Sequence, residues 1–257
     1  MIPIVVMGAS GRMGRAVAET LATVPGFKLK AGVDRVPRPA GWDASLPWCP
    51  DPSDVVEPGD VVIEFTGPEG ATSAAEACAR RRASLVSGAT GLGPDHEAAL
   101  TRASKTVAVL HSANFSLGIL ALRRALRELL SAIPNWDVEI VERHHRAKQD
   151  SPSGTALLLA AEVAKARSYP ALSLRHGREG KVGPRPPAEI GIHSVRGGTW
   201  VGDHAVLLAG TGESLELRHV TQDRSAFVNG ALAAAEFVAK APPGLYTLEA
   251  VVSAAAS

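Results

Sequence analysis

The first fourteen residues restrict the fold most. Ile4 to Met7 is a β-branched run that reads as a strand and ends at Gly8-Ala9-Ser10-Gly11-Arg12-Met13-Gly14. From Gly11 to Val24, apolar residues at Met13, Val17 and Leu21 recur with helical spacing. A strand that passes through a glycine turn straight into a helix is the opening unit of a parallel, doubly wound sheet. Phe27 to Val33 reads as a second strand, Asp60 to Thr66 as a third, and Ser84–Ser87 and Thr106–Leu110 as further ones. Helical patterns from Glu69 to Arg82 and from Pro94 to Lys105 lie between them. Strands alternating with helices imply a Rossmann-like parallel sheet covered on both faces.

The pattern changes after Asn114. Phe115 to Ala132 reads as a long helix, Trp136 to His145 as an alternating strand, and Ser153 to Ser168 as a helix. Three closely spaced strands follow a Pro/Gly-rich stretch: Ile190–Arg196, Val201–Leu208 and Ser214–Thr221, with glycines at the turns. This spacing predicts a second α+β domain with an open mixed or antiparallel sheet. A last helix, Ser225 to Lys240, stops at Pro242-Pro243-Gly244. The expected domains are 1–115 with 224–257 for nucleotide binding, and 116–223 for substrate binding and association.

Bulk properties exclude several classes. A net charge of +1 supplies no global field for nucleic acid or an anionic membrane surface. No apolar run is long enough for a membrane span, and the N-terminus reads as a strand rather than a secretory leader. Cys49 and Cys78 form no disulfide framework or metal pattern, so a reducing cytoplasm is expected and no metal site is.

The glycine segment has the chemistry of a dinucleotide site. Glycines permit the tight turn and close approach of a pyrophosphate, and N–H groups at the helix start face that anion. Asp34 closes the second strand, where a carboxylate can accept hydrogen bonds from ribose hydroxyls. Arg35 can meet a 2′-phosphate, stack on adenine, or stand in solvent.

The densest chemistry is Glu142-Arg143-His144-His145-Arg146-Ala147-Lys148-Gln149-Asp150-Ser151-Pro152-Ser153-Gly154-Thr155. Two histidines and a lysine end a strand, and Ser-Gly-Thr opens a helix. Ser153 suits an N-cap, and the N–H groups of Gly154 and Thr155 stand at the positive end of the helix. A carboxylate fits there, with an imidazole and an ammonium available for proton transfer.

The run VERHHRAKQDSPSGTA resembles the signature of the dihydrodipicolinate reductase (4-hydroxy-tetrahydrodipicolinate reductase) family. GASGRMG, EFTGPEG, SGATG, SANFSLG, VRGGTWVGDH and FVNGAL fall in that family's order, so the resemblance covers nearly the whole chain. It implies reduction of 4-hydroxy-tetrahydrodipicolinate, a small cyclic dicarboxylate, by NADH or NADPH in the diaminopimelate route to lysine. Hydride addition and a proton from His144 or Lys148 would complete the reaction, and the protein would be a homotetramer.

By position, His144 and Lys148 match catalytic residues. His145, Ser153, Gly154, Thr155 and Thr90 fall on the substrate side. Gly8, Ala9, Ser10, Gly11, Arg12, Met13, Asp34, Arg35, Gly88, Ala89, Thr90, Ser112, Ala113, Asn114 and Phe115 match cofactor positions. Two positions depart from the pattern: Ala89 stands where members often carry threonine, and Gly67 where some carry arginine. The rival readings are another two-domain NAD(P)-dependent amino-acid dehydrogenase, which would oxidise an amino acid, and a non-catalytic nicotinamide sensor, which should have lost the His-Lys-Ser-Gly-Thr block.

Overall fold

The computed structural model describes residues 1–168 and 173–255. The chain divides into two compact units, Met1–Ser116 with Arg224–Ser257, and Leu117–Asp223; positions 256 and 257 lie outside the described residues.

The first unit is built on a seven-stranded parallel sheet. Its strands are β1 (Ile2–Met7), β2 (Phe27–Val33), β3 (Trp48–Cys49), β4 (Val61–Glu64), β5 (Ser84–Ser87), β6 (Ala108–His111) and β12 (Gly244–Tyr246), in the order β12-β6-β5-β4-β1-β2-β3. From β1 the chain steps to β2 on one side and later returns to β4 on the other. Ligands of doubly wound sheets bind at the carboxyl ends of the strands at such a switch point. Helices α1 (Arg12–Leu21), α2 (Pro68–Arg81), α3 (Pro94–Ala103), α6 (Ser225–Val238) and α7 (Leu248–Ala255) complete the unit. Val5, Val33, Val62, Leu85 and Val109 form part of one core with Ala74, Ala75 and Leu100 from the helices. The small side chains of α2 allow it to lie close to the sheet.

The second unit carries a mixed five-stranded sheet, in the order β11-β10-β7-β9-β8. These are β7 (Asp137–His144), β8 (Leu174–His176), β9 (Ile190–Arg196), β10 (Gly202–Ala209) and β11 (Ser214–Thr221). The β10 strand runs antiparallel to both β7 and β11, while β7–β9 and β8–β9 are parallel. Helices α4 (Leu117–Ala132) and α5 (Gly154–Ala166) complete this unit. Their Leu126 and Leu159 pack with Val138, Ile140, Ile192, Val206 and Leu208. Each such fully buried side chain stabilises the unit by about 1.5–3 kcal/mol.

Element ends shift by up to three residues, the short strands β3 and β8 are additions to the sequence reading, and three differences bear most on the fold. Helix α4 starts at Leu117, so Phe115 stands outside it, 2% exposed and edge-to-face on Phe65. The third strand ends at Glu64, and Phe65 and Thr66 turn away as loop. A strand and a helix follow Pro242-Pro243, with β12 pairing parallel to β6; three residues are too short to show a period.

Candidate active site

In the first unit, Gly8 takes φ +78°, and a Cβ there would stand 2.6 Å from the Phe65 carbonyl oxygen. A Cβ on Gly14 would come within 2.2 Å of the Gly8 carbonyl oxygen, so only glycine lets α1 sit this close to the turn. The turn engages its own donors. Gly8 and Ala9 N–H groups donate to the Val33 carbonyl, Gly11 N–H to that of Gly8, and Ser10 N–H to Asp34 Oδ2 at 3.0 Å. The N–H groups of Arg12 and Met13, at the start of α1, have no partner among the described residues. They are the donors left for an anion.

Asp34 also accepts from Ser10 Oγ at 2.6 Å, so the acid expected to read a ribose also ties the loop to β2. Partial burial raises its carboxyl, but the hydrogen bonds from Ser10 outweigh this and hold it below the usual carboxylate range. A cavity of about 530 Å³ opens here, lined by Gly8, Ser10, Gly11, Asp34, Arg35, Phe65, Thr66, Gly67 and Gly70 among others. Phe65, Thr66 and Gly70 were not singled out as site residues. What places them is Glu64, fully buried, which accepts hydrogen bonds from Thr66 N–H and Oγ1 and from Ser87 Oγ at 2.6 Å. Gly88 lies against the Phe65 ring, Ala89 is buried and Thr90 exposed, while Ser112 Oγ donates to the Asn114 carbonyl at 2.7 Å. None of residues 88–90 or 112–115 lines the cavity at the glycine turn.

In the second unit, alternation along β7 places Val138, Ile140, Glu142 and His144 on the face that packs against the helices. The apolar core ends after Ile140, and the same face continues as polar groups. The Glu142 side chain, fully buried, accepts from both Nη atoms of Arg196 at 2.8 Å and pairs with His144 Nδ1 at 2.6 Å. Ser153 N–H donates to its other oxygen at 3.1 Å. Burial raises the Glu142 carboxyl, but the Arg196 and His144 hydrogen bonds prevail and push it down to about 2. Burial likewise draws the His144 imidazole below its ordinary value, against the opposing pull of Glu142, and so favours the neutral ring.

Ser153 caps α5 as the sequence pattern requires, accepting from Ala156 N–H at 3.2 Å. Its hydroxyl is also engaged by His204 Nε2 at 3.0 Å, and the residue is 2% exposed. Gly154 is exposed, with open space on its Cβ side. Lys148 Nζ lies 2.8 Å from Asp150 Oδ1, and His145 is held through its N–H to the Trp200 carbonyl at 2.8 Å. His204 stacks edge-to-face on His144, with ring centroids 5.0 Å apart. The structure thus gathers Glu142, His144, Lys148, Ser153, Arg196 and His204. Sequence reasoning missed Glu142, Arg196 and His204; alternation from Ile140 would have placed Glu142 on the His144 face, but no local signal joins Arg196 or His204 to it.

Family models described as dihydrodipicolinate reductase, N-terminus, and dihydrodipicolinate reductase, C-terminus, match residues 2–115 and 118–252. The chain belongs to the dihydrodipicolinate reductase family. A relative from Thermomicrobium roseum named 4-hydroxy-tetrahydrodipicolinate reductase is 43% identical over 98% of this chain and 100% of its own length. Another of that name, from Caldanaerobacter subterraneus, is 39% identical over 98% of each. A dipicolinate-bound dihydrodipicolinate reductase from Paenisporosarcina has the same fold, with a TM-score of 0.79 and 24% identity over 96% of this chain and 97% of its own. In this family member, the full glycine turn and the full His-Lys-Ser-Gly-Thr block stand together in one chain.

Proposed function

We propose that the protein is a 4-hydroxy-tetrahydrodipicolinate reductase that uses NADH or NADPH in the diaminopimelate route to lysine. The observation that carries this reading is the match of both halves of the chain to one family, in a chain that retains the histidine–lysine block beside a helix start. The cofactor fits the first unit: the cavity at the glycine turn has unpartnered N–H groups beside it at Arg12 and Met13, and Asp34 and Arg35 at its rim. Gly8 to Met13 would hold the pyrophosphate and Asp34 the ribose, with Gly88, Ala89, Thr90 and Ser112 to Phe115 completing the cofactor side. When bound, the nicotinamide supplies the hydride.

The second unit supplies charge and a proton. Gly154 and Thr155 at the start of α5 hold a ring carboxylate, joined by His145. His144, neutral and fixed by Glu142, accepts a hydrogen bond or a proton at Nε2. The Lys148 ammonium is the proton donor. The sheet face opposite the helices, with Val195 and Val220 exposed, is an association surface for a homotetramer; a one-chain mass by light scattering would reject that assembly. Two free thiols fit a cytoplasmic enzyme, and no described helix is long and apolar enough to cross a membrane.

The test is a coupled assay in which the synthase makes the substrate in situ and NAD(P)H absorbance is followed. Folded protein that turns over with neither cofactor refutes the reading. In the same assay pyridine-2,6-dicarboxylate, a planar ring with the same pair of carboxylates, should compete with substrate; inhibition indifferent to substrate concentration would remove Gly154 and Thr155 from the site.

Both cofactors should work, with NADH at least as good. Asp34 favours a free 2′-hydroxyl and repels a 2′-phosphate, whereas the exposed Arg35 attracts one. Arg35→Ala should therefore lower kcat/KM for NADPH by about tenfold or more, the effect of one charge-assisted hydrogen bond, and spare NADH. A Cβ on Gly67 would meet nothing within 4 Å, so the cavity rim has room for a second cation. Gly67→Arg should move the preference toward NADPH. Equal losses for both cofactors in Arg35→Ala would mean that Arg35 does not read the phosphate.

A further inference from the structure

We infer that Glu142 and Arg196 form one positioning clamp that sets the His144 ring and the Lys148 loop in fixed geometry, a role that rests on the reductase reading above. The contacts run unbroken from one proton-transfer group to the other. His144 Nδ1 lies 2.6 Å from Glu142 Oε2, and Glu142 is held by both Nη atoms of Arg196 at 2.8 Å. Arg196 Nη2 also donates to the Asp150 carbonyl at 2.8 Å, and Asp150 Oδ1 accepts from Lys148 Nζ at 2.8 Å. Glu142 Oε1 further accepts Ser153 N–H at 3.1 Å, so the start of α5 hangs from the same carboxylate.

Stability alone gives little reason for such an arrangement. A buried ion pair costs desolvation, and a well-packed apolar pair of equal volume is often as stable. What it supplies is direction. A carboxylate facing Nδ1 keeps the proton on that nitrogen and leaves the Nε2 lone pair as the working end. Nε2 has no hydrogen-bond partner among the described residues, and it faces Gly202, where a Cβ would stand 3.3 Å away. The glycine keeps that approach clear. The charged and titratable groups around the ring are Glu142 on its own strand, Arg196 on β9, His204 on β10 and Lys148 in the following loop.

The test uses Glu142→Gln, Arg196→Met, the double variant and, as the conservative control, Arg196→Lys. Each is assayed for kcat and KM in the coupled system, for NADH affinity by fluorescence, and for His144 tautomer and titration by ¹⁵N NMR. Glu142→Gln and Arg196→Met should each lower kcat by about 10–100-fold, the scale of a misplacement near 1 Å, with NADH affinity within threefold. The double variant should be no slower than the slower single, because the two residues act as a unit. In Glu142→Gln the His144 titration should move about one pH unit or more lower, since the anion leaves while Arg196 and Lys148 remain. If either single variant fails to fold, Arg196→Lys carries the test: it keeps the charge but not the two-pronged grip, and should still lose about tenfold in kcat. Single variants within threefold of wild-type kcat, or an unchanged His144 tautomer and titration in Glu142→Gln, overturn the clamp. Wild-type protein without turnover would instead refute the reductase reading, and the NMR measurements would still judge the clamp.

Discussion

Lys148→Ala is expected to lower kcat by about 10²–10⁴-fold, the usual contribution of a positioned general acid. Affinity for NADH should stay within a few-fold of wild type, because the glycine turn, Asp34 and Arg35 belong to the first unit and Lys148 to the second. The size of the effect follows from the state of its neighbour. Burial draws the His144 imidazole below its ordinary value, which disfavours the protonated ring that would have to stand in for the missing ammonium. Asp150, more exposed than Lys148, aims the ammonium at 2.8 Å without neutralising the need for it. Asp150→Ala should therefore cost far less than Lys148→Ala. Single-turnover rates and NADH titrations decide the matter: an alanine variant within a few-fold of wild type removes Lys148 from the chemistry.

Acid should weaken the second unit well before its carboxylates titrate. Burial pushes the His204 imidazole down to about 4, with the neighbouring His144 adding to the effect. A depressed folded pKa means the unfolded chain binds the proton first, so the stabilisation is complete above the unfolded value near 6.5 and is lost as pH falls toward 4. The full loss is about 3 kcal/mol, of which about 2 kcal/mol is gone by pH 5. Glu139, half-buried on β7 but held down to about 2 by hydrogen bonds from Arg178, His193 and Arg185, and Glu142 act in a later window: their stabilisation is complete above about 4.5 and is lost as pH falls through 2. Urea titrations at pH 7.5 and pH 5 read the His204 window above the one in which the carboxylates act. Wild type should lose about 2 kcal/mol more between the two pH values than His204→Phe, which keeps a ring but cannot charge. The same drop in both proteins would show that His204 does not titrate between pH 7.5 and pH 5.

The sequence by itself determined the fold class and the family. Strand–glycine–helix order, helical spacing at Met13, Val17 and Leu21, and closely spaced strands after residue 190 all depend on neighbours within a few turns of chain. Such local signals survive in one dimension. The Ser153 cap of α5 was legible for the same reason, since its partner Ala156 is three residues away. Ser10 and Asp34, 24 residues apart, were each visible, but their bond was not.

Tertiary structure alone decided what surrounds the functional groups. Glu142 reads in sequence as one more charge on a strand of mixed character. Only pairing with β9 brings Arg196 onto it, from 54 positions away, and only pairing with β10 lays His204 against His144. The Gly-Pro-Glu-Gly stretch reads as a helix start, and only the burial of Glu64 beneath Thr66 shows why it lines the cavity at the glycine turn. Burial and strand register set these features. A carboxylate or imidazole changes character when water is removed from it and a partner is brought within 3 Å, and neither condition is written in the residues beside it.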